Sequence, residues 1–444
     1  MKTKAIRLYG KNDLRMEAFV LPQIKEDEIL AKVVSDSLCM SSYKAASQGT
    51  DHKRIPDDVA ENPIIIGHEF AGELVEVGSK WAHKFKAGDK FSIQPALNFE
   101  DGPVGILSAP GYSYKYIGGD ATYVIIPKEV MEKDCLLAYH GEGYYPASLA
   151  EPLSCVIGAM HANYHTTPGS YVHKMGIVDG GRMAILAGVG PMGLAAINYV
   201  LRREDRRPSL CVVTDVDQVR LDRAASLYTV EFAASRGIDL RYVNTGVMKN
   251  PVEELKAISK DIGYDDVFVF APVKAVVEQA DAILGFDGCL NFFAGPSDSN
   301  FSAMLNFYNV HYAYTHLVGT SGGNNDDMVE ALDLMSKGLD INSLNFSSFS
   351  VALRSLDTTS VIQPILSFIV FIICPTSSLA LIFMYLSPVF LFLIKSKNES
   401  IFSLRSFKFF LIEKTILLLI KKTDKKTITA KRMSSDLIII TSSS

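Results

Sequence analysis

The sequence predicts an α/β protein in which a small β-rich domain, residues 1–160, precedes a doubly wound parallel sheet over residues 161–342. Two observations carry the second half. Residues 183–187 read as a short buried strand that runs directly into Gly188-Val189-Gly190-Pro191-Met192-Gly193 and then into an apolar helix, LAAINYVLRR. Beyond it, strand-like runs at 210–214, 266–270, 288–293 and 316–319 alternate with helical stretches such as VKAVVEQADAIL, the pattern of parallel strands joined by crossover helices. The third observation concerns the first half. There, short apolar runs are broken by Gly-Asp at 88–89 and Gly-Gly at 118–119, and long amphipathic stretches are few.

The glycine motif has a mechanical reading. Gly188 permits the tight turn, Gly190 lets backbone approach a pyrophosphate, and Gly193 lets the helix pack on the strand. A lone GxGxxG says little, but here the next strand ends at Asp215, 22 residues beyond Gly193, where a carboxylate is placed to accept the ribose hydroxyls. Gly188, Val189, Gly190, Pro191, Met192, Gly193 and Asp215 are therefore the candidate cofactor-binding residues. The charge on Asp215 repels a 2′-phosphate and points to NAD, whereas Arg220 and Arg223, close by in sequence, keep NADP open.

In the first half, Cys39, His68 and Glu151 lie on three separated stretches: CMSSYK at 39–44, GHEFAG at 67–72 and EPL at 151–153. A cysteine, a histidine and a carboxylate can hold one zinc and leave a fourth position open for substrate. Each alone has an ordinary explanation: a small buried thiol, a satisfied turn histidine, a first-turn carboxylate favoured by the helix dipole.

Together these motifs resemble the medium-chain dehydrogenase/reductase superfamily over most of residues 1–342. GHEFAGELVEVG at 67–78 and FKAGDKFSIQP at 85–95 look like its zinc-loop signature and the strand after it. YIGGDATYVIIP at 116–127 is similar to the strand that closes its catalytic domain, and ASLAEPLS at 147–154 resembles the polyol-dehydrogenase branch. SDSLCMSSYKAASQGTDHKRIPDD at 35–58 resembles the L-sorbose 1-phosphate reductase group.

The resemblance implies a GroES-like catalytic domain ahead of a Rossmann sheet, with Cys39, His68 and Glu151 as catalytic zinc ligands. Glu69 matches a neighbouring carboxylate that ligates or supports the metal, and Ser41 the hydroxyl that relays the substrate proton. Two positions depart from the family pattern. Ser42 stands where an aspartate is common, and Lys44 where many relatives end the proton relay with a histidine; there it is a candidate for ribose or substrate phosphate, as are Lys53 and Arg54 if their loop faces the cleft. The four-cysteine structural zinc loop is missing, because no cysteine occurs between Cys39 and Cys135, so one zinc per chain is expected. Zinc would polarise the substrate oxygen while hydride passes to or from the nicotinamide, with NADPH implied by the resemblance and NAD by Asp215. The expected substrate is a small polyol or sugar phosphate, with L-sorbose 1-phosphate reduced to glucitol 6-phosphate as the specific expectation. The competing readings are a zinc-free quinone reductase of the same superfamily and a catalytically incomplete or membrane-tethered remnant.

Composition narrows the partners. A formal net charge of -5 provides no basic field for nucleic acid, and the N-terminal residues lack the apolar core of a signal peptide. Six cysteines without paired spacing fit a reducing, cytoplasmic setting, and analogy suggests a homo-oligomer paired near Leu317. All 31 glycines occur by Gly338, and residues 343–444 carry 12 Lys+Arg against 5 Asp+Glu, unlike the acidic remainder. The expectation is that this tail is read out of frame or past a mispredicted exon end. Its uncharged stretch within 358–394 alternatively reads as a membrane anchor.

Overall fold

The computed structural model describes residues 1–167 and 169–337 with their side chains, and beyond them only the backbone of short strands between 350 and 442. In the first half, β1 (Lys2–Gly10), β2 (Asp13–Val20), β3 (Ile29–Ser37), helix α1 (Met40–Gln48), β4 (Ile64–Ile65), β5 (Glu69–Val77), β6 (Lys90–Ile93), β7 (Tyr123–Ile126) and β8 (Leu136–Ala138) follow in order. One antiparallel sheet runs β2-β1-β4. A second runs β3-β5-β6-β8, with β7 on the other side of β3. Ile29, Ala31, Phe70, Leu74, Phe91, Val124 and Ile126 fill the core between them. This is the β-rich GroES-like half.

Helix α2 (Ala150–Ala162) and the hairpin β9 (Tyr164–Thr166) and β10 (His173–Met175) lead into the second half. There β11 (Arg182–Leu186), α3 (Pro191–Arg202), β12 (Leu210–Asp215), α4 (Gln218–Leu227), β13 (Asp239–Asn244), α5 (Pro251–Ile258), β14 (Tyr264–Val269), α6 (Lys274–Ala282), β15 (Leu284–Phe292), α7 (Phe307–Tyr312), β16 (His316–Gly319) and α8 (Asn325–Ser336) alternate. The six strands are all parallel, in the order β13-β12-β11-β14-β15-β16. That is a Rossmann order, 3-2-1-4-5-6, whose reversal between β11 and β14 opens a crevice at the carboxyl ends of the strands. Val212, Val213, Val267 and Phe268 are fully buried, as strands covered by helices on both faces require.

Four of the expected strands have shifted limits, and two of the shifts have a local cause. β11 ends at Leu186 because Ala187 already adopts a left-handed conformation, φ 52°. β15 begins at Leu284, ahead of the expected 288, since a register irregularity opposite β14 absorbs Gly285 and Asp287, the latter at φ 58°. The halves are tied by polar contacts: Lys44 Nζ donates to the Gly295 carbonyl at 3.1 Å, Gln94 Nε2 to the Asn324 carbonyl at 3.0 Å, and Cys135 Sγ to Asn325 Oδ1 at 3.3 Å. The side chains of the 343–444 tail, including its proposed membrane stretch, lie outside the described residues. Among the described residues no helix is long and apolar enough to cross a membrane.

Candidate active site

The site is assembled at the joint between β3, α1 and β5. β3 delivers Ser37, and two residues later Cys39 caps helix α1 in an extended conformation, its Sγ accepting from the Ser41 N–H at 3.5 Å. The thiol therefore sits at the positive end of a helix. Opposite, Gly67 turns the chain with φ 93°; a side chain there would strike Asp36 and the backbone of Asp120. That turn puts His68 and Glu69 at the start of β5, both about 4% exposed.

Ligand atoms of Cys39, His68 and Glu69 lie within 4.8 Å of one another. The Nδ1 of His68 meets Ser42 Oγ at 3.1 Å, and its Nε2 lies 3.2 Å from the Tyr112 hydroxyl and 3.9 Å from Glu69 Oε1. Glu69 Oε2 accepts from the Ser37 hydroxyl. Glu151, which the sequence reading placed third in the ligand set, stands outside this tight group; it occupies the first turn of α2, where Cys155 Sγ reaches its Oε1 at 3.6 Å. Glu69, the first residue of β5, and His68, just before it, form this cluster with Cys39.

The electrostatics describe an acid-rich cluster. Burial lifts Glu69 to about 7, against hydrogen bonds from Ser37 and Cys39, and burial with the charge of Glu69 lifts Glu151 to about 8. Burial, then Glu69 and Glu151, push the Cys39 thiol well above its usual range. His68 is driven down to about 3, by burial first and then by Arg54, so its imidazole is neutral. A neutral imidazole, a thiol and two carboxyls, the acids favoured in their protonated form first of all by burial, make a donor set that a divalent cation would neutralise, and the S, N and O mixture suits zinc.

Of the other expected residues, Lys44 turns its ammonium to Gly295 in the loop after β15. Gly190 caps α3 with open space around it, and Gly193 packs against the backbone of Gly188. Val189, Pro191 and Met192 complete the turn into α3. Asp215 ends β12 with Oδ1 accepting the N–H groups of Val216 and Asp217 at 2.8 and 3.0 Å, while Arg220 pairs at 3.5 Å with Asp217. Tyr112 was missed by the sequence reading. Its ring centroid is 4.6 Å from that of His68, and its hydroxyl lies 3.2 Å from the His68 Nε2. The local signal was only Gly111, whose φ of 76° and contact with Gly67 seat the tyrosine over the histidine.

Comparison with known proteins agrees with this architecture. Residues 25–134 match the family model of the alcohol dehydrogenase GroES-like domain. The chain is 53% identical over 341 residues to mannitol-1-phosphate 5-dehydrogenase of Aliivibrio fischeri, covering 77% of this chain and 79% of that protein. It is likewise 53% identical over 333 residues to L-sorbose 1-phosphate reductase of Klebsiella pneumoniae, covering 75% and 78%. Among solved structures, 2R,3R-butanediol dehydrogenase from Bacillus subtilis superposes with a TM-score of 0.58 at 21% identity, over 77% of this chain and 90% of that one. At that identity the likeness concerns the fold.

Proposed function

The chain belongs to the medium-chain dehydrogenase/reductase superfamily, and we propose that it is a zinc-dependent oxidoreductase exchanging hydride between a nicotinamide cofactor and a polyol or ketose. The observation that carries the zinc assignment is the cluster of half-buried Cys39 with buried His68 and Glu69, whose ligand atoms lie within 4.8 Å of one another. In such a site zinc supplies a Lewis acid for the substrate oxygen and the nicotinamide supplies the hydride carrier.

The protein's own residues do the rest. Ser42 fixes the imidazole through Nδ1 and leaves Nε2 facing Cys39 and Glu69. Ser37 orients Glu69, and Glu151 supports the metal from the adjoining helix. Ser41, in the first turn of α1, carries the substrate proton away from the reacting oxygen, and Lys44 stands three residues beyond it on the same helix as the relay's cationic neighbour. Gly188, Gly190 and Gly193 admit the pyrophosphate to the N-terminus of α3, and Asp215 receives the ribose. Because Arg220 is engaged with Asp217, NAD is the preferred cofactor and NADP the second choice. L-sorbose 1-phosphate and glucitol 6-phosphate are the first substrate pair to assay, given the half-identical reductase.

A cytoplasmic location is supported by five described cysteines that are all free. A homo-oligomer is supported by the edge strand β16 and by Phe307, Tyr308, Tyr312, Tyr314 and Leu317, all more than half exposed beside it. The deciding experiment is metal analysis of purified full-length protein together with NADH and NADPH titration. One zinc per chain and a cofactor affinity are expected. Folded protein that binds cofactor but no zinc would refute the zinc mechanism and favour the quinone-reductase reading.

A further inference from the structure

We propose that Arg54, with Lys44 and His52 near it, forms a phosphate-binding subsite at the rim of the metal centre, so that the substrate is a phosphate monoester of the polyol or ketose. The proposal rests on the dehydrogenase reading above and adds the residues that select the phosphorylated substrate.

Arg54 lies in the loop after α1 and is held from three sides. Its N–H donates to His52 Nδ1 at 3.3 Å, its carbonyl accepts from Ser113 Oγ at 2.7 Å, and its Nη1 donates to the Leu107 carbonyl at 2.8 Å. The guanidinium carbon stands 5.8 Å from the centroid of the Tyr112 ring. The same ring stacks on His52, 5.8 Å between centroids and 6° between planes, and touches His68 with its hydroxyl. The Tyr112 ring therefore lies against both Arg54 and His68 of the proposed metal cluster.

The charge pattern has no internal purpose. Among the described residues no carboxylate forms an ion pair with Lys44, Lys53 or Arg54, whereas two acids of their own loop pair elsewhere: Asp51 with Lys11 at 3.8 Å and Asp58 with Asn62 at 2.8 Å. After burial, Arg54, Lys53 and Lys44 in that order depress the His52 imidazole. A fixed cation beside a divalent-metal site works against metal binding unless an anion comes between them. A phosphate dianion would do so, and the planar guanidinium, with only Nη1 committed, matches its oxygens in a fork.

The test compares kcat/KM for L-sorbose 1-phosphate with that for unphosphorylated L-sorbose in full-length wild type, Arg54→Gln and Arg54→Lys. The ratio should fall by about 10- to 100-fold in Arg54→Gln, the worth of a hydrogen bond to a charged group, and recover in part in Arg54→Lys, which keeps the charge without the fork. An unchanged ratio, or equal loss on both sugars, would overturn the proposal. Binding of inorganic phosphate by calorimetry separates this from failure of the dehydrogenase reading. If neither sugar is turned over, phosphate bound by wild type and lost in Arg54→Gln still supports the subsite. Equal binding, or none, in both proteins overturns it. Zinc content and thermal midpoint, measured on each variant, establish that the comparison is between folded proteins, and Arg54→Lys carries the test if Arg54→Gln does not fold.

Discussion

Two glycines of the nucleotide turn, three residues apart, separate a packing role from a binding role. A Cβ on Gly193 would press on the carbonyl oxygen, the carbonyl carbon and, at 2.6 Å, the Cα of Gly188. All three are backbone atoms, so α3 itself would have to move. Overpacking of this kind costs about 1–3 kcal/mol. At 2–4 °C per kcal/mol for a domain of this size, Gly193→Ala should lower the thermal midpoint by roughly 2–12 °C. A Cβ on Gly190 meets nothing within 4 Å, and its φ of -77° and ψ of 175° suit alanine. Gly190→Ala should therefore change stability by less than about 0.5 kcal/mol. That open space is where a pyrophosphate would approach the backbone, and a methyl group in it should weaken NADH binding by about tenfold or more. Differential scanning fluorimetry without cofactor reads the first effect, and a fluorescence titration with NADH reads the second. A Gly190→Ala protein that binds NADH like wild type, beside a Gly193→Ala protein of undiminished stability, would refute the reasoning.

Zinc binding at pH 7 should release about one to two protons, from Cys39 and from Glu69, whose carboxyl titrates at about 7. Calorimetry in buffers of different ionisation enthalpy measures the release, and none would contradict the ligand set. Because Glu69 and Glu151 are raised in the metal-free fold, to about 7 and about 8, their contribution to its stability is fully present below their ordinary 4.5 and is lost as pH rises through those values. Chelated protein should melt progressively lower from pH 5 to 8, and zinc should reverse the trend. Asp215→Ser should weaken NADH about tenfold while improving NADPH, read by the ratio of the two affinities. Leu317→Asp on the edge strand β16 should shift the protein toward monomer in sedimentation velocity, and an unchanged distribution would place the interface elsewhere.

The nucleotide half was legible because its constraints are local. Gly188, Gly190 and Gly193 are imposed by one turn, and Asp215 by the strand that follows the next helix, so residue type and spacing carry the information. What escaped was conformational detail that no pattern encodes: the left-handed Ala187 and the irregularity at Asp287. The candidate metal cluster was legible as chemistry but less so as geometry. Cys39 and His68 stand out by type, yet whether Glu69 or Glu151 joins them depends on how β5 and α2 meet. Tyr112 reaches His68 across 44 positions of sequence and Lys44 reaches Gly295 across 251, and contacts of that range leave no periodicity to read.

The ammonium of Lys44 has a wider consequence. It projects from the helix that Cys39 caps and grips the carbonyl of Gly295, in the loop that leaves β15 at the nucleotide end of the other half. Any rotation of one half against the other pulls on the helix that positions the thiol. Under the proposed function, this contact, beside those of Gln94 with Asn324 and Cys135 with Asn325, would link occupancy of the nucleotide crevice to the grip on the metal, and such coupling runs equally in both directions. The rate at which zinc escapes to a chelator should then respond to NADH, even though no atom of the cofactor need touch the metal.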